Sequence, residues 1–164
     1  MTEDYRLIPL TKGQFVKVSP QRFEELNQHR WRAQWNPKAQ TFYAVRIDYL
    51  DGRRINTLMH RQILGLAYGD KRQGDHINHC TLDNTDGNLR IATHSQNNFN
   101  HRHHSRNTSG YKGVWWNKTE KRWMAEIQVN GQGIYLGRRE TAEAAYRDLY
   151  VPAAIKYHGE FACL

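Results

Sequence analysis

Few arrangements are open to the stretch from Tyr111 to Ile155, where the local grammar of the chain is clearest. Three runs, Tyr111–Asn117, Arg122–Val129 and Ile134–Leu136, read as strands. Asn130-Gly131 between the last two is a hairpin signal, because a two-residue turn that matches strand twist needs positive φ at both positions. Thr141 then caps an alanine-rich stretch in which Ala142, Ala145, Tyr146, Leu149 and Ile155 fall near helical spacing. Pro152 is expected to kink or interrupt that helix, since it lacks a backbone donor and clashes with the preceding turn. The stretch therefore reads as a three-stranded antiparallel sheet covered by one helix.

The N-terminal part reads as smaller elements. Gln14–Val18 alternates like a short strand, and Ser19-Pro20 looks like a helix N-cap with proline at the first helical position, the helix running through Leu26. Trp31–Trp35 and Thr41–Asp48 follow as strands. Asp51-Gly52 is a second hairpin signal, and Arg54–Thr57 returns. Met59–Ala67, apolar at Ile63, Leu64 and Leu66, is expected to be helical. In the middle, Gly74–Asn78 is a short strand entering a polar loop, Cys80–Gly87. Asn88–Ala92 returns, and Thr93 caps a helix from His94 to Asn100. No internal repeat is present.

Of the 164 residues, 24 are Lys or Arg and 16 are Asp or Glu, a net charge of +8, which points to a polyanion as partner. Residues 1–59 carry net +4 and residues 106–164 net +3, but residues 60–105 only +1. That near-neutral middle nevertheless holds seven of the nine histidines: His60, His76, His79, His94, His101, His103 and His104. Histidine serves metal ligation and proton transfer near neutral pH, so the ends look like grips and the middle like chemistry. The last three histidines, within the polar stretch 101–110, read as a solvated linker, with phosphate contact or adventitious metal binding as the alternatives. No run approaches the roughly 20 apolar residues of a membrane-spanning helix. Met1-Thr2-Glu3-Asp4 shows no signal peptide, and the expected location is the cytoplasm of a phage-infected or bacterial cell. Cys80 and Cys163 are too few for a disulfide scaffold or a four-cysteine zinc site. With 38% hydrophobic residues the chain can build one modest core or two to three small ones.

Within the middle, Asp75 is a hard oxygen ligand suited to Mg²⁺ or Mn²⁺. His76 follows it on a strand and is expected to point to the other side of the pleat, so the two need not share one task. Asn97 on the following helix offers a second, neutral oxygen. A metal with two protein ligands keeps positions for a phosphate oxygen and water, while a separate base deprotonates the water. Taken singly each residue also fits a polar turn or a cap. Asp83 suits a turn role beside Asn84.

Met59-His60-Arg61, Asp75-His76-Ile77-Asn78, Leu82-Asp83-Asn84, Asn88-Leu89-Arg90 and Thr93…Gln96-Asn97…Asn100 together resemble the HNH endonuclease motif, most of all that of phage-type homing endonucleases. The resemblance implies a central ββα-metal unit with Asp75 and Asn97 on the metal and His76 as general base. Asn88, within the catalytic motif, is implied to hold the backbone of His76 across the loop. His60 and Asn100 take supporting positions. Leu10-Thr11-Lys12-Gly13 through Trp31 is similar to the N-terminal portion of phage HNH proteins.

A second resemblance covers residues 108–162. Ser109-Gly110-Tyr111-Lys112-Gly113-Val114, Trp123-Met124-Ala125-Glu126-Ile127, Tyr135-Leu136-Gly137 and Thr141–Tyr146 look like the plant ethylene-response-factor (APETALA-type) DNA-binding domain. That domain lays its sheet in the major groove. Its DNA-facing positions fall on Lys112, Trp115, Asn117, Glu126, Gln128 and Tyr135, with Trp115, Asn117 and Gln128 replacing family arginines. Arg138 and Arg139 after the third strand are expected to contact phosphates. Of the adjacent Trp115 and Trp116 only one can face out, and Trp123 is expected in the core. Arg30, Arg32, Arg53 and Arg54 are weaker candidates for DNA contact.

The expected fold is α+β, with an N-terminal α+β segment (residues 1–58), the ββα-metal unit (59–100), a linker (101–110) and the C-terminal sheet with its helix (111–164). The expected function is metal-dependent hydrolysis of double-stranded DNA with Mg²⁺ or Mn²⁺. The chain is expected to act as a monomer or homodimer, with no obligate protein partner. The alternatives are a catalytically silent DNA-binding regulator on the same scaffold and an RNA-binding module. The latter would want an aromatic sheet motif that this sequence lacks.

Overall fold

Alternation of buried and exposed side chains sets the first sheet. In the computed structural model, which describes residues 4–100 and 107–164, β1 (Arg6–Pro9) pairs antiparallel with β2 (Phe15–Val18). Val16 and Val18 point inward while Phe15 and Lys17 face out. Ser19 was expected to cap a helix. The structure instead makes a 3-10 turn at Pro20–Arg22 leading into α1 (Phe23–Asn27), and Ser19 makes no cap bond. Its hydroxyl oxygen accepts from the Asp86 backbone N–H at 2.7 Å, far along the chain.

β3 (Arg32–Asn36), β4 (Thr41–Leu50) and β5 (Arg53–Leu58) form a second antiparallel sheet in that order. The β4–β5 turn is made by Asp51 and Gly52 at φ 48° and 74°, as their types require. α2 (Met59–Ile63) is shorter than the expected Met59–Ala67, because Gly65 adopts the left-handed conformation (φ 66°) that ends helices. β6 (Gln73–His76) and β8 (Leu89–Ala92) pair antiparallel. Between them, within the expected loop, β7 (Asp83–Asn84) pairs in parallel with β2. One core joins β1–β4, α1 and α2: Ile8, Val16, Val18, Leu26, Trp31, Ala33, Ala44 and Met59 are buried together, with Leu82 packed against them. These elements belong to the first of two compact units, Met1–Thr93.

The second unit, His94–Leu164, starts with α3 (His94–Phe99). Its sheet has the order β11-β10-β9, from β9 (Val114–Asn117), β10 (Arg122–Val129) and β11 (Gln132–Arg139). Asn130 and Gly131 turn the hairpin at φ 51° and 80°. Thr141 caps α4 (Ala142–Ala145), its hydroxyl accepting from the Ala144 N–H at 3.1 Å. The α-helix is interrupted next to Pro152, as its residue type predicts. A π-helical turn, Tyr146–Tyr150, comes just before it, and α5 (Val151–His158) takes the proline in its first turn, where a missing donor costs least. Ala125 and Ile127 of β10 pack beneath Ala145, Tyr150 and Ala154. Residues 101–106 of the expected linker, with His101, His103 and His104, lie outside the described residues.

Gly113 is held at φ +70°, and a Cβ there would come 2.3 Å from the Tyr150 ring and 2.5 Å from the Glu126 carbonyl oxygen. Gly113→Ala combines left-handed strain with overpacking and should lower stability by about 3 kcal/mol. Urea unfolding of the variant against the parent chain measures this, and an unchanged midpoint would contradict the packing described.

Candidate functional site

Asp75 and His76 occupy the last two positions of β6, where the strand runs into the polar loop. Both are buried. Cross-strand register sets Asp75 opposite Arg90 of β8, and the Arg90 Nε–H donates to Asp75 Oδ2 at 2.8 Å. Their side chains are 5% and 12% exposed, so this is a buried ion pair. His76 lies one residue on, and its Nε2 is in hydrogen-bond contact with the Asn84 side-chain amide, 2.8 Å from Oδ1. The His60 ring stands 5.0 Å from the His76 ring, and Tyr43 stands 5.8 Å from His60 and 6.2 Å from His76. Gly74 lets His60 lie against β6, since a Cβ there would come 2.5 Å from His60 Cδ2.

Burial holds the His76 imidazole below its ordinary 6.5, against the opposite pull of the Asn84 bond and the Asp75 carboxylate. His60 is pushed down to about 3 by burial, with His76 and Arg61 adding to the effect. It is a neutral imidazole at any working pH. Burial and the Asp75 charge raise Tyr43. The cluster is thus a strand end bearing one paired carboxylate and one neutral, oriented imidazole, backed by a second neutral ring. It can take a proton from water.

Asn88 is buried and staples the loop. Its side-chain oxygen accepts from the Asn78 N–H at 2.9 Å and its Nδ2 donates to the Asp83 carbonyl at 2.7 Å. The Ile77 N–H donates to the Asn88 carbonyl. The side-chain contact thus falls two residues beyond His76 and not on His76 itself. Asp83 accepts from the Thr85 hydroxyl and the Asn78 amide, a turn role. Asn97 and Asn100 lie at α3, in the second unit, with Asn97 half-buried and Asn100 buried. Among the described residues no group of three or more His, Cys, Asp or Glu comes together to hold a metal. Arg90 and Asn84 lie within the motif segments without a role there, and Tyr43 lies outside them. Arg90 had a signal, since pairing the two short strands sets it opposite Asp75.

In the C-terminal sheet, register divides the expected DNA-facing residues. Met124 pairs with Trp115 and Arg138, Glu126 with Tyr135, and Arg122 with Asn117. These side chains lie on the face away from α4 and α5, where Trp115 is 46% and Tyr135 54% exposed. Gln128 shares that face and donates to Glu126 Oε1 at 2.9 Å. Arg138 pairs with Glu120, and the Asn117 oxygen accepts from the Thr119 and Glu120 N–H groups. Arg139 is opposite Trp123 on the helix side, 3.6 Å from Asp148. Trp116 also turns to that side and packs on Trp123 at 5.2 Å. Lys112 donates to the Phe99 carbonyl, and burial lowers its pKa.

The β3–β4–β5 sheet has a comparable polar face. Gln34 pairs with Tyr43, Ile47 with Asn56 and Tyr49 with Arg54, and Arg32 Nη2 donates to Asn56 Oδ1 at 2.7 Å. No acidic strand residue shares this face, which carries Tyr43 of the His76 cluster.

The chain is 28% identical over 158 residues to a protein of Acanthamoeba polyphaga mimivirus named as an uncharacterized HNH endonuclease, covering 96% of this chain and 78% of that protein. It is 30% identical over 109 residues to protein 3.8 of Escherichia phage T7, covering 63% of this chain and 86% of that protein. The chain belongs to the family of phage T7 protein 3.8. The mimiviral relative's name supports an HNH-type nuclease. Neither the protein 3.8 relationship nor the mimiviral one supports an ethylene-response-factor domain. No family model matches the chain, and no solved structure matches it. No helix among the described residues is long and apolar enough to cross a membrane.

Proposed function

We propose that this chain is a metal-dependent DNA endonuclease of the phage HNH homing type, with His76 as general base. The observation that carries the reading is the buried Asp75–His76 pair at the end of β6, with His76 neutral and oriented by a hydrogen bond. Asp75 supplies one carboxylate of the kind a hard cation takes, and the HNH resemblance implies Asn97 as a second donor. So short a set suits Mg²⁺ or Mn²⁺, which keep several waters. A bound cation would neutralise charge at the scissile phosphate and the leaving 3′ oxygen. His76 takes the proton of the attacking water, and Arg90 holds the Asp75 carboxylate. Two polar sheet faces support duplex DNA as substrate. One carries Trp115, Asn117, Glu126, Gln128, Tyr135 and Arg138, and the other Arg32, Gln34, Asn56 and Arg54. Their side-chain types suit base edges and phosphates, and binding should weaken with salt.

His76 must be neutral to accept a proton. Activity should therefore be present at neutral pH and fall as pH drops through its pKa, which burial sets below 6.5. A cleavage profile with an acid limb centred above 7 would contradict that assignment. The function itself is tested on supercoiled plasmid with Mg²⁺ or Mn²⁺, with and without chelator. Metal-dependent nicking or linearisation supports the enzyme. Binding without cleavage at any pH would favour the silent regulator, for which the Arg90 guanidinium on Asp75 is the one structural argument.

A further inference from the structure

The β4–β5 hairpin outruns its neighbouring strand. β3 pairs with β4 over Thr41–Val45, whereas β5 pairs with it over Val45–Leu50. Arg46–Leu50 of β4 and β5 therefore make a ribbon of two strands that ends at the Asp51-Gly52 turn. Its two faces differ in charge. On one, Asp48 accepts from the Arg46 Nε–H at 2.8 Å, and the Arg46 guanidinium lies over the Trp31 ring. On the other, Ile47, Tyr49, Arg54 and Asn56 are exposed, Gln34 and Arg32 of β3 continue the face, and no carboxylate from the strands is among them.

Hydrogen bonding gives this second face a single polarity. A guanidinium only donates, and in a carboxamide only the oxygen accepts. Arg32 Nη2 lies 2.7 Å from Asn56 Oδ1 and 3.4 Å from Gln34 Oε1, so both amides turn their oxygens to Arg32. The NH₂ groups then point away from it, and with the Arg54 guanidinium they make a set of donors. A two-stranded ribbon fits the major groove of B-DNA, about 12 Å wide, and not the minor groove, about 6 Å wide. Guanine presents two acceptors there, N7 and O6, whereas adenine sets a donor beside its N7. A face made of donors therefore favours guanine.

We propose that the β4–β5 ribbon enters the major groove and that Asn56, oriented by Arg32 and flanked by Arg54, reads guanine there. This makes Asn56 a specificity-determining residue, and it rests on the reading of duplex DNA as substrate. Tyr43, on the same face, has its ring 6.2 Å from that of His76, and the face runs on to Tyr49 over about 20 Å of strand. The guanine block lies within about six base pairs of the cut.

Binding by the full chain in chelator tests this without calling on cleavage. Duplexes selected from a random-sequence pool should share a block in which methylation of guanine N7 blocks binding. Asn56→Ala should weaken binding to a selected duplex about 10-fold and relax the preference for guanine, with affinity for unselected duplex unchanged. Asn56→Asp keeps the oxygen that Arg32 holds but has no donor to present. It should lose the same preference, whereas a merely structural role for Asn56 would be rescued by it. A folded Asn56→Asp chain that selects the parental duplexes overturns the proposal. So does interference confined to methylated adenine N3, which lies in the minor groove, or a preference for RNA over duplex DNA. If neither variant folds, methylation interference with the parent chain decides. A chain that shows the guanine block but cuts no DNA with Mg²⁺ or Mn²⁺ overturns the nuclease reading alone. A chain that cuts with metal but shows no guanine block overturns the ribbon assignment alone.

Discussion

His76→Ala is expected to remove cleavage while leaving DNA binding in place. General-base catalysis contributes about 10²- to 10⁴-fold, and the imidazole packed against His76 is no substitute for it. The adjacent candidate, His60, is buried behind it, with its pKa pushed down to about 3. DNA affinity should hold, because the two polar sheet faces lie on β3–β5 and β9–β11 and leave His76 out. The substitution also takes from the buried Asn84 amide its one described side-chain partner. An unsatisfied buried acceptor costs about 1–3 kcal/mol, so unfolding must be measured beside cleavage to separate the two effects. Cleavage retained by a folded His76→Ala chain would sink the assignment of His76 as base.

The second large effect concerns Arg90. Its guanidinium pairs with the Asp75 carboxylate, and both groups are nearly dry. Breaking a buried pair by removing one member costs about 3–5 kcal/mol, because the remaining charge keeps its desolvation penalty and loses its compensation. Arg90→Ala should therefore lower the urea midpoint sharply. Adding Asp75→Asn to it should give part of that loss back, since the buried carboxylate that Arg90 offsets is then gone. The double-mutant cycle reads the coupling directly. If Arg90→Ala falls within 1 kcal/mol of the parent chain and the cycle closes to zero, the pair does not have the part assigned to it here.

Turn chemistry was legible in the residue types. Asp51-Gly52 and Asn130-Gly131 both sit at positive φ where hairpins were expected, because few other residues tolerate that backbone. The Thr141 cap was legible for the same local reason. Elements whose existence depends on distant partners were not. β7 is two residues long in a polar run, and only β2 makes it a strand. Ser19 carried the signature of a helix cap, yet its hydroxyl serves Asp86. Pro152 predicts a kink or interruption, and the α-helical ladder is interrupted directly ahead of it by a π-helical turn, whose form the residue types do not announce. In the site, Asp75 and His76 were legible as a dipeptide. Arg90 needed the pairing of two strands, and Asn84 and Tyr43 needed the tertiary fold. The same holds for direction. Arg138 and Arg139 are chemically alike, but the pleat sends one to each face of the sheet, and Lys112 is turned onto a helix-end carbonyl.

The parallel ladder between β2 and β7 also has a consequence for the order of events as the chain is made. Val18 emerges from the ribosome long before Asn84, and the contact between Ser19 and Asp86 closes a loop of 67 residues. Closing so long a loop carries an entropic cost that local structure cannot offset early. The β1–β2 hairpin must therefore wait, with its outer edge unpaired, until the histidine-rich middle has been synthesised. Folding of the N-terminal sheet and assembly of the His76 cluster should consequently be a single late event.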